Sequence, residues 1–235
     1  LSRPVKGPGF LFSSIFISEN PIPNIYIYIP MTGLERFKRD VRKVAKQHKI
    51  KVILSRKKMV KDHRNFLEMR GYFDDVNKEL CVATGEGDNG WYQTLLHESC
   101  HMDQYIEDQY LWKKCSPAFT IFDDWLMGER EVNKDVLEEV VQDIIRLELD
   151  CERRVVEKIK KYDLNISPDD YQKVSNISIY LYLFFLEKKK WIPQIADKRS
   201  IYKATPGKFK KNYKKIPTRL HRALEKEYKT LFPES

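Results

Sequence analysis

With 235 residues, 42% of them hydrophobic and 33% charged, the chain has the material for one substantial core or two small ones, and 12% aromatics argue against disorder over most of its length. No apolar run approaches the roughly 18 residues that a membrane helix needs, since the best candidate, Ile177 to Leu186, is broken by Ser178 and ends at Glu187-Lys188-Lys189-Lys190. Four Cys without a CxxC pair exclude a disulfide scaffold and a Cys-rich zinc finger, and they point to a reducing compartment, with the cytoplasm as default.

The apolar stretch Phe10 to Ile17 is split by Ser13 and Ser14, and no small-residue cleavage site follows, so it reads as a strand or packed arm. Asn24 to Pro30 alternates β-formers and is closed by Pro, the pattern of a strand. Thr32 with Glu35 forms a capping box for a helix that carries Leu34, Phe37, Val41, Val44 and Ala45 on one face and ends near His48. Lys49 to Ser55 is a second strand, and the intervening helix favours a βαβ unit with the two strands parallel. Gly71 to Phe73 and Glu79 to Thr84 flank a DDVNK turn and predict a hairpin. After the GEGDNG loop, Asp88 or Asn89 caps a helix from Trp91 to about Tyr105.

A connection containing Pro117 leads to a long helix capped by Asn133 and running to about Tyr162. Ser167-Pro168-Asp169-Asp170 starts another, with Ser as cap and acids facing the helix dipole, and its Tyr180 to Leu186 portion is the most apolar of the chain. Beyond Glu187 a basic stretch with Pro193, Pro206, Gly207 and Pro217 reads as a loosely ordered extension before a last helix near Thr218 to Lys229.

The net charge of +9 is unevenly placed: residues 35–64 carry +10, residues 65–186 carry −12 and residues 187–235 carry +10. The expected organisation follows these shifts: an N-terminal βαβ segment over 1–64 that continues the sheet, a core over 65–186, and a basic extension over 187–235. The basic flanks are a candidate footprint for nucleic acid, although Lys outnumbers Arg and no known reader motif accompanies them. In KFKKNYKK, Phe209 and Tyr213 sit among Lys208, Lys210, Lys211, Lys214 and Lys215; a packing pair that pins the tail to the core is favoured over base stacking.

The chemistry is concentrated in His97-Glu98-Ser99-Cys100-His101, an HExxH pattern on the helix that begins at Trp91. Two His at i and i+4 differ by about 40° around a helix, so both imidazoles project from one face and one zinc ion can bridge them. Glu98, about 100° from His97, lies on the flank of that face, where it can serve as general base without being a ligand. A catalytic zinc takes a third protein ligand, and no His follows until His221. On the long helix, Glu148 lies about 40° from Ile144, inside the apolar stripe, whereas Glu152 falls at about 80° and Asp150 at about −120°. A carboxylate inside the stripe is costly unless paired or metal-bound, which selects Glu148 as ligand, against a buried salt bridge to Arg70 or Arg130. Glu152 becomes either an acceptor that orients a ligand imidazole or a solvated charge at the helix edge.

These residues resemble the gluzincin branch of the zincin metallopeptidases, in which HExxH is completed by a Glu on a later helix; here that segment is Glu148-Leu149-Asp150-Cys151-Glu152-Arg153-Arg154-Val155, with Glu152 where Asp or Asn is usual. In style it is similar to ImmA/IrrE-like peptidases, to the soluble core of HtpX-like ones and to small metallopeptidases encoded by bacteriophages, over about residues 70–160. The resemblance implies an α+β, zincin-like fold with a small mixed sheet, an HExxH helix and a mostly helical C-terminal half. It implies a zinc endopeptidase acting on protein or peptide, with His97, His101 and Glu148 as ligands and Glu98 as base. It also implies an edge strand that pairs with extended substrate, for which Glu79 to Thr84 is the candidate. Tyr105, Tyr92 and His63 are candidate oxyanion donors. Two other readings stay open: a nucleic-acid-associated protein with a structural zinc site, and an inactive zincin-fold interaction module, as in a virion.

Overall fold

A computed structural model of the chain describes residues 32–61, 68–85, 90–190, 196 and 198–233. The expected arm at Phe10 to Ile17, the strand at Asn24 to Pro30, and with it the pairing expected of Lys49 to Ser55, and the candidates His63, Asp88 and Asn89 lie outside these residues. The fold is α+β. Helix α1 (Thr32–Gln47) buries Phe37, Val41 and Ala45, the i, i+4, i+8 row that its sequence announces, and leads into β1 (Lys51–Ser55). A short ribbon of β2 (Val60–Lys61) and β3 (Glu68–Met69) follows, then the predicted hairpin of β4 (Gly71–Asp74) and β5 (Glu79–Ala83). Asp74 shapes the hairpin turn: its side chain accepts from the backbone N–H groups of Val76 and Asn77 at 2.8 and 2.9 Å.

The three-stranded sheet has the order β1-β5-β4, with β1 parallel and β4 antiparallel to β5. This corrects the expectation that Glu79 to Thr84 is the substrate-pairing edge. β5 is the central strand, its backbone committed on both sides, because parallel β1 docks on the flank that the hairpin leaves open. At the edge of the described sheet opposite β1 lies β4.

Helix α2 (Trp91–Glu107) packs against the sheet face formed by Phe73, Leu80 and Val82. Gly71 permits the close approach: a Cβ there would sit 2.6 Å from Thr94 Cγ2 and 2.9 Å from the Cys81 carbonyl oxygen. The residue at the helix start is Gly90, which has no side chain with which to cap. The stretch read as a connection around Pro117 is instead two helices. α3 (Gln109–Cys115) is capped by Asp108 at the N–H of Leu111, and α4 (Pro117–Met127) has Pro in its first turn and left-handed Gly128 after its last.

Helix α5 (Lys134–Tyr162) starts at the expected cap, with Asn133 accepting from the N–H of Asp135, and α6 (Pro168–Lys188) at Ser167, which accepts from Asp170. α5 lies between α2 and α6, and α6 is buried on nearly every side from Ser175 to Phe185. The tail is not loose. α7 (Arg199–Ala204) and α8 (Thr218–Leu231) place Ile201, Leu220 and Leu224 in the same core, and Tyr213 is 1% exposed. Asn176 of α6 holds the intervening stretch: it donates to the carbonyls of Pro206 (2.8 Å) and Lys208 (3.1 Å) and accepts from the Tyr213 hydroxyl. Tyr213 in the core and Phe209 packed against it fasten the tail as expected, although the stretch is not helical and Tyr213 meets the ring of Tyr180 instead of that of Phe209. Among the described residues no helix is long and apolar enough to cross a membrane, and the four Cys are free and buried.

Candidate metal centre

His97, Glu98 and His101 occupy the middle of α2, where sheet, α3 and α5 surround the helix and leave these side chains 4 to 5% exposed. Facing them from α5 are Glu148 and Glu152, 1% and 4% exposed. The sandwiched position of α5 buries more than the single stripe that its sequence implies, so Glu152 is no solvated edge charge. Residues from two helices distant in sequence thus meet in one buried cluster, which groups His97 and His101 with Cys151, and His97 with Glu148 and Glu152, as sets able to hold a metal ion.

The two nitrogens of His97 face different partners. Nδ1 lies 3.3 Å from Glu152 Oε1, with Cys151 Sγ 3.6 Å away, while Nε2 lies 3.0 Å from His101 Nε2 and 3.8 Å from Glu148 Oε2. His101 Nε2 is 3.5 Å from Glu148 Oε1, and its Nδ1 is 2.8 Å from Gln104 Oε1. The orientation of the Gln104 amide follows from its other contacts: Nε2 donates to the Leu147 carbonyl at 2.8 Å and to Asp150 Oδ2 at 2.9 Å, so Oε1 is the acceptor facing His101. His101 Nδ1 therefore carries its proton, as His97 Nδ1 does toward Glu152. The two Nε2 atoms then face one another and a carboxylate. Neither oxygen of Glu148 has a hydrogen-bond partner. With both imidazoles neutral, three acceptor groups converge, an arrangement that a bound proton or a metal ion satisfies.

The charges respond accordingly. Burial disfavours a charged His97, but the hydrogen bond and charge of Glu152, followed by Glu148 and Glu98, outweigh it and push its pKa up to about 10. His101 is also raised, burial and the neighbouring His97 opposing, Glu148 prevailing. Glu152 is held below the usual carboxylate range against the effect of burial, because His97, Tyr171 and Ser175 all hydrogen-bond to it, the last at 2.8 Å.

Beside the cluster opens a cavity of about 140 Å³ onto which Glu98 and His101 face. Its walls are Tyr72 and Phe73 of β4, Trp112 of α3 and Phe119 of α4, with Asp75 at the hairpin turn. Asp75 fixes the indole by accepting from Trp112 Nε1 at 2.9 Å. The suggested oxyanion donors are engaged elsewhere: the Tyr105 hydroxyl accepts from Lys78, and that of Tyr92 points to the Asn165 carbonyl at 3.5 Å. Neither lines the cavity: Tyr92 sits on another side of α2, and Tyr105, one turn beyond His101, packs its ring against Phe73 and Trp112 while its hydroxyl meets Lys78. Nor do Arg70 or Arg130 reach Glu148, whose ion partners are the two imidazoles. Gln104, Tyr171 and Ser175 were not singled out by sequence. Gln104 was findable, one turn beyond His101 on the same face; the other two depend on how α6 docks on α5.

Protein-family models, curated proteins and solved structures were compared with the chain, and none matches it. What the cluster can do therefore rests on its own geometry.

Proposed function

We propose that the chain is a zinc-dependent peptidase with a zincin-like core, in which His97, His101 and Glu148 hold the metal and Glu98 is the general base. The observation that carries this reading is the buried convergence of two imidazoles and a carboxylate. Three ligands of one tetrahedral zinc at bond lengths of about 2.0–2.1 Å stand about 3.3 Å apart; here the two imidazole Nε2 atoms are 3.0 Å apart, and each faces its own oxygen of Glu148, His101 at 3.5 Å from Oε1 and His97 at 3.8 Å from Oε2. Two imidazoles and one carboxylate, with a cavity on the open side, are also the ligand chemistry of a catalytic rather than a structural zinc. Glu152 and Gln104 orient the two imidazoles through their Nδ1 protons.

A zinc ion held there would polarise a substrate carbonyl and bring the pKa of water toward about 7. Glu98 on the flank of the ligand face takes the proton from the attacking water and returns it to the departing amine. The aromatic walls of the cavity suit an apolar side chain next to the scissile bond, and β4, at the rim, offers a backbone along which an extended peptide can lie. The test is hydrolysis of an unfolded protein substrate by zinc-loaded protein. Activity that a chelator abolishes and Glu98→Gln lacks supports the proposal; absence of cleavage, or equal cleavage by Glu98→Gln, overturns it.

A further inference from the structure

We infer that the groove between α1 and β1 binds the phosphate backbone of double-stranded nucleic acid, independently of the metal centre. The groove, of about 440 Å³, is lined by Arg42 and Lys46 from α1, Lys49 from the connection and Lys51, Ile50 and Val52 at the start of β1. All four cations are exposed. Lys51 leans on Glu79 at 3.6 Å. Among the described residues, no ion pair or side-chain hydrogen bond engages Arg42, Lys46 or Lys49. The surrounding segment sharpens the imbalance, with eleven Lys and Arg against Glu35 and Asp40 in residues 32–58, and both acids are already paired with Lys38 and Arg39.

Helix stability alone explains little of this. Lys46 lies in the last turn of α1, where a cation complements the helix dipole, and Lys49 takes the left-handed cap position at φ 57°, closed by the Ile50 N–H on the Ala45 carbonyl at 2.8 Å, a backbone role that calls for no cation. The chemistry of the lining selects the partner. Three Lys to one Arg supply point charges rather than the planar forks that read base edges, so binding is independent of sequence. Among the described residues no aromatic side chain lines the groove, which offers no stacking platform of the kind that single strands require. Ile50 is buried, and none of the large exposed hydrophobics among the described residues belongs to the groove, so these residues supply no anchor for insertion into a membrane.

The experiment is a fluorescence-anisotropy titration of the full chain with a duplex DNA oligonucleotide between 50 and 200 mM KCl. Four phosphate contacts give a slope of log affinity against log salt of about −3.6, or a loss of about 150-fold over that range. The variant Arg42→Gln/Lys46→Gln/Lys49→Gln should make the slope shallower by about 2.7. Lys208→Gln/Lys211→Gln/Lys214→Gln, which removes the same charge from the tail, should leave most of it in place. The inference is overturned if wild type fails to bind duplex at 50 mM KCl, if the tail variant loses as much as the groove variant, or if single strands or phosphatidylserine vesicles bind more tightly than duplex.

Discussion

Replacing Gln104 by Leu tests how the metal centre is organised. Its amide makes three hydrogen bonds, to His101 Nδ1, to the Leu147 carbonyl and to Asp150, at 2.8, 2.8 and 2.9 Å, and the residue is fully buried. Leu fills a similar volume but leaves the His101 Nδ1 proton without an acceptor. The imidazole is then free to rotate or to carry its proton on Nε2, where it blocks the metal. Losing an orienting partner of a ligand imidazole costs about 10–100-fold in metal affinity, or about 1.4–2.7 kcal/mol. The unsatisfied groups should lower folding stability by about 2–3 kcal/mol. Gln142→Leu separates the two effects, because Gln142 donates to the Tyr213 carbonyl at 3.0 Å on a part of α5 remote from His101. It should lower the melting temperature and leave zinc affinity unchanged. Competition against a zinc-binding chromophore measures the affinities. Wild-type affinity in Gln104→Leu, or an equal loss in Gln142→Leu, would refute the assignment of the His101 proton.

Glu148→Ala should abolish measurable zinc binding, whereas Glu152→Ala should weaken it by about 10–100-fold; chelator competition reads both, and a larger effect at Glu152 reverses their roles. Glu98→Gln should keep its zinc while hydrolysis falls by about 10²–10⁴, measured by release of labelled peptide. Tyr213→Ala should destabilise the fold by about 3–5 kcal/mol in urea titrations, and Tyr213→Phe, which loses the hydroxyl's bonds to Asn176 and from the Lys210 N–H, by about 1–3 kcal/mol. Because the tail shares the core with α6, truncation after Glu187 should give an insoluble or unfolded chain rather than a shorter functional one.

The elements that sequence reading located carry their signals locally. Asn133 and Ser167 bond as caps to the second and third residues beyond them, so a cap followed by an apolar period identifies α5 and α6 without knowledge of the rest. Likewise HExxH and the helical phase of Glu148 depend only on the geometry of one helix each. The misreadings lie where partners are distant in the chain. That β5 is central depends on β1 docking parallel to it from some 30 residues upstream, which no pattern within Glu79 to Thr84 encodes. Helices α3 and α4 are short, and their apolar residues, Trp112, Phe119 and Phe122, announce a helix only once α5 supplies the surface that covers them. The tail looks loose because Pro and Lys dominate its composition, yet a few residues, Tyr213 and Ile201 among them, suffice to fasten it. Gln104 escaped notice because an amide gains a role at a metal site only when its other end is fixed, here by a carbonyl and a carboxylate on α5.

The account stands or falls on whether the acceptor cluster holds zinc. Elemental analysis of protein purified without added metal should find about one zinc per chain in wild type and in Glu98→Gln, and none in His97→Ala or Glu148→Ala that remain folded by circular dichroism. Folded wild-type protein that carries no zinc and acquires none on exposure to micromolar zinc, or variants at His97 and Glu148 that retain it in full, would contradict the central claim.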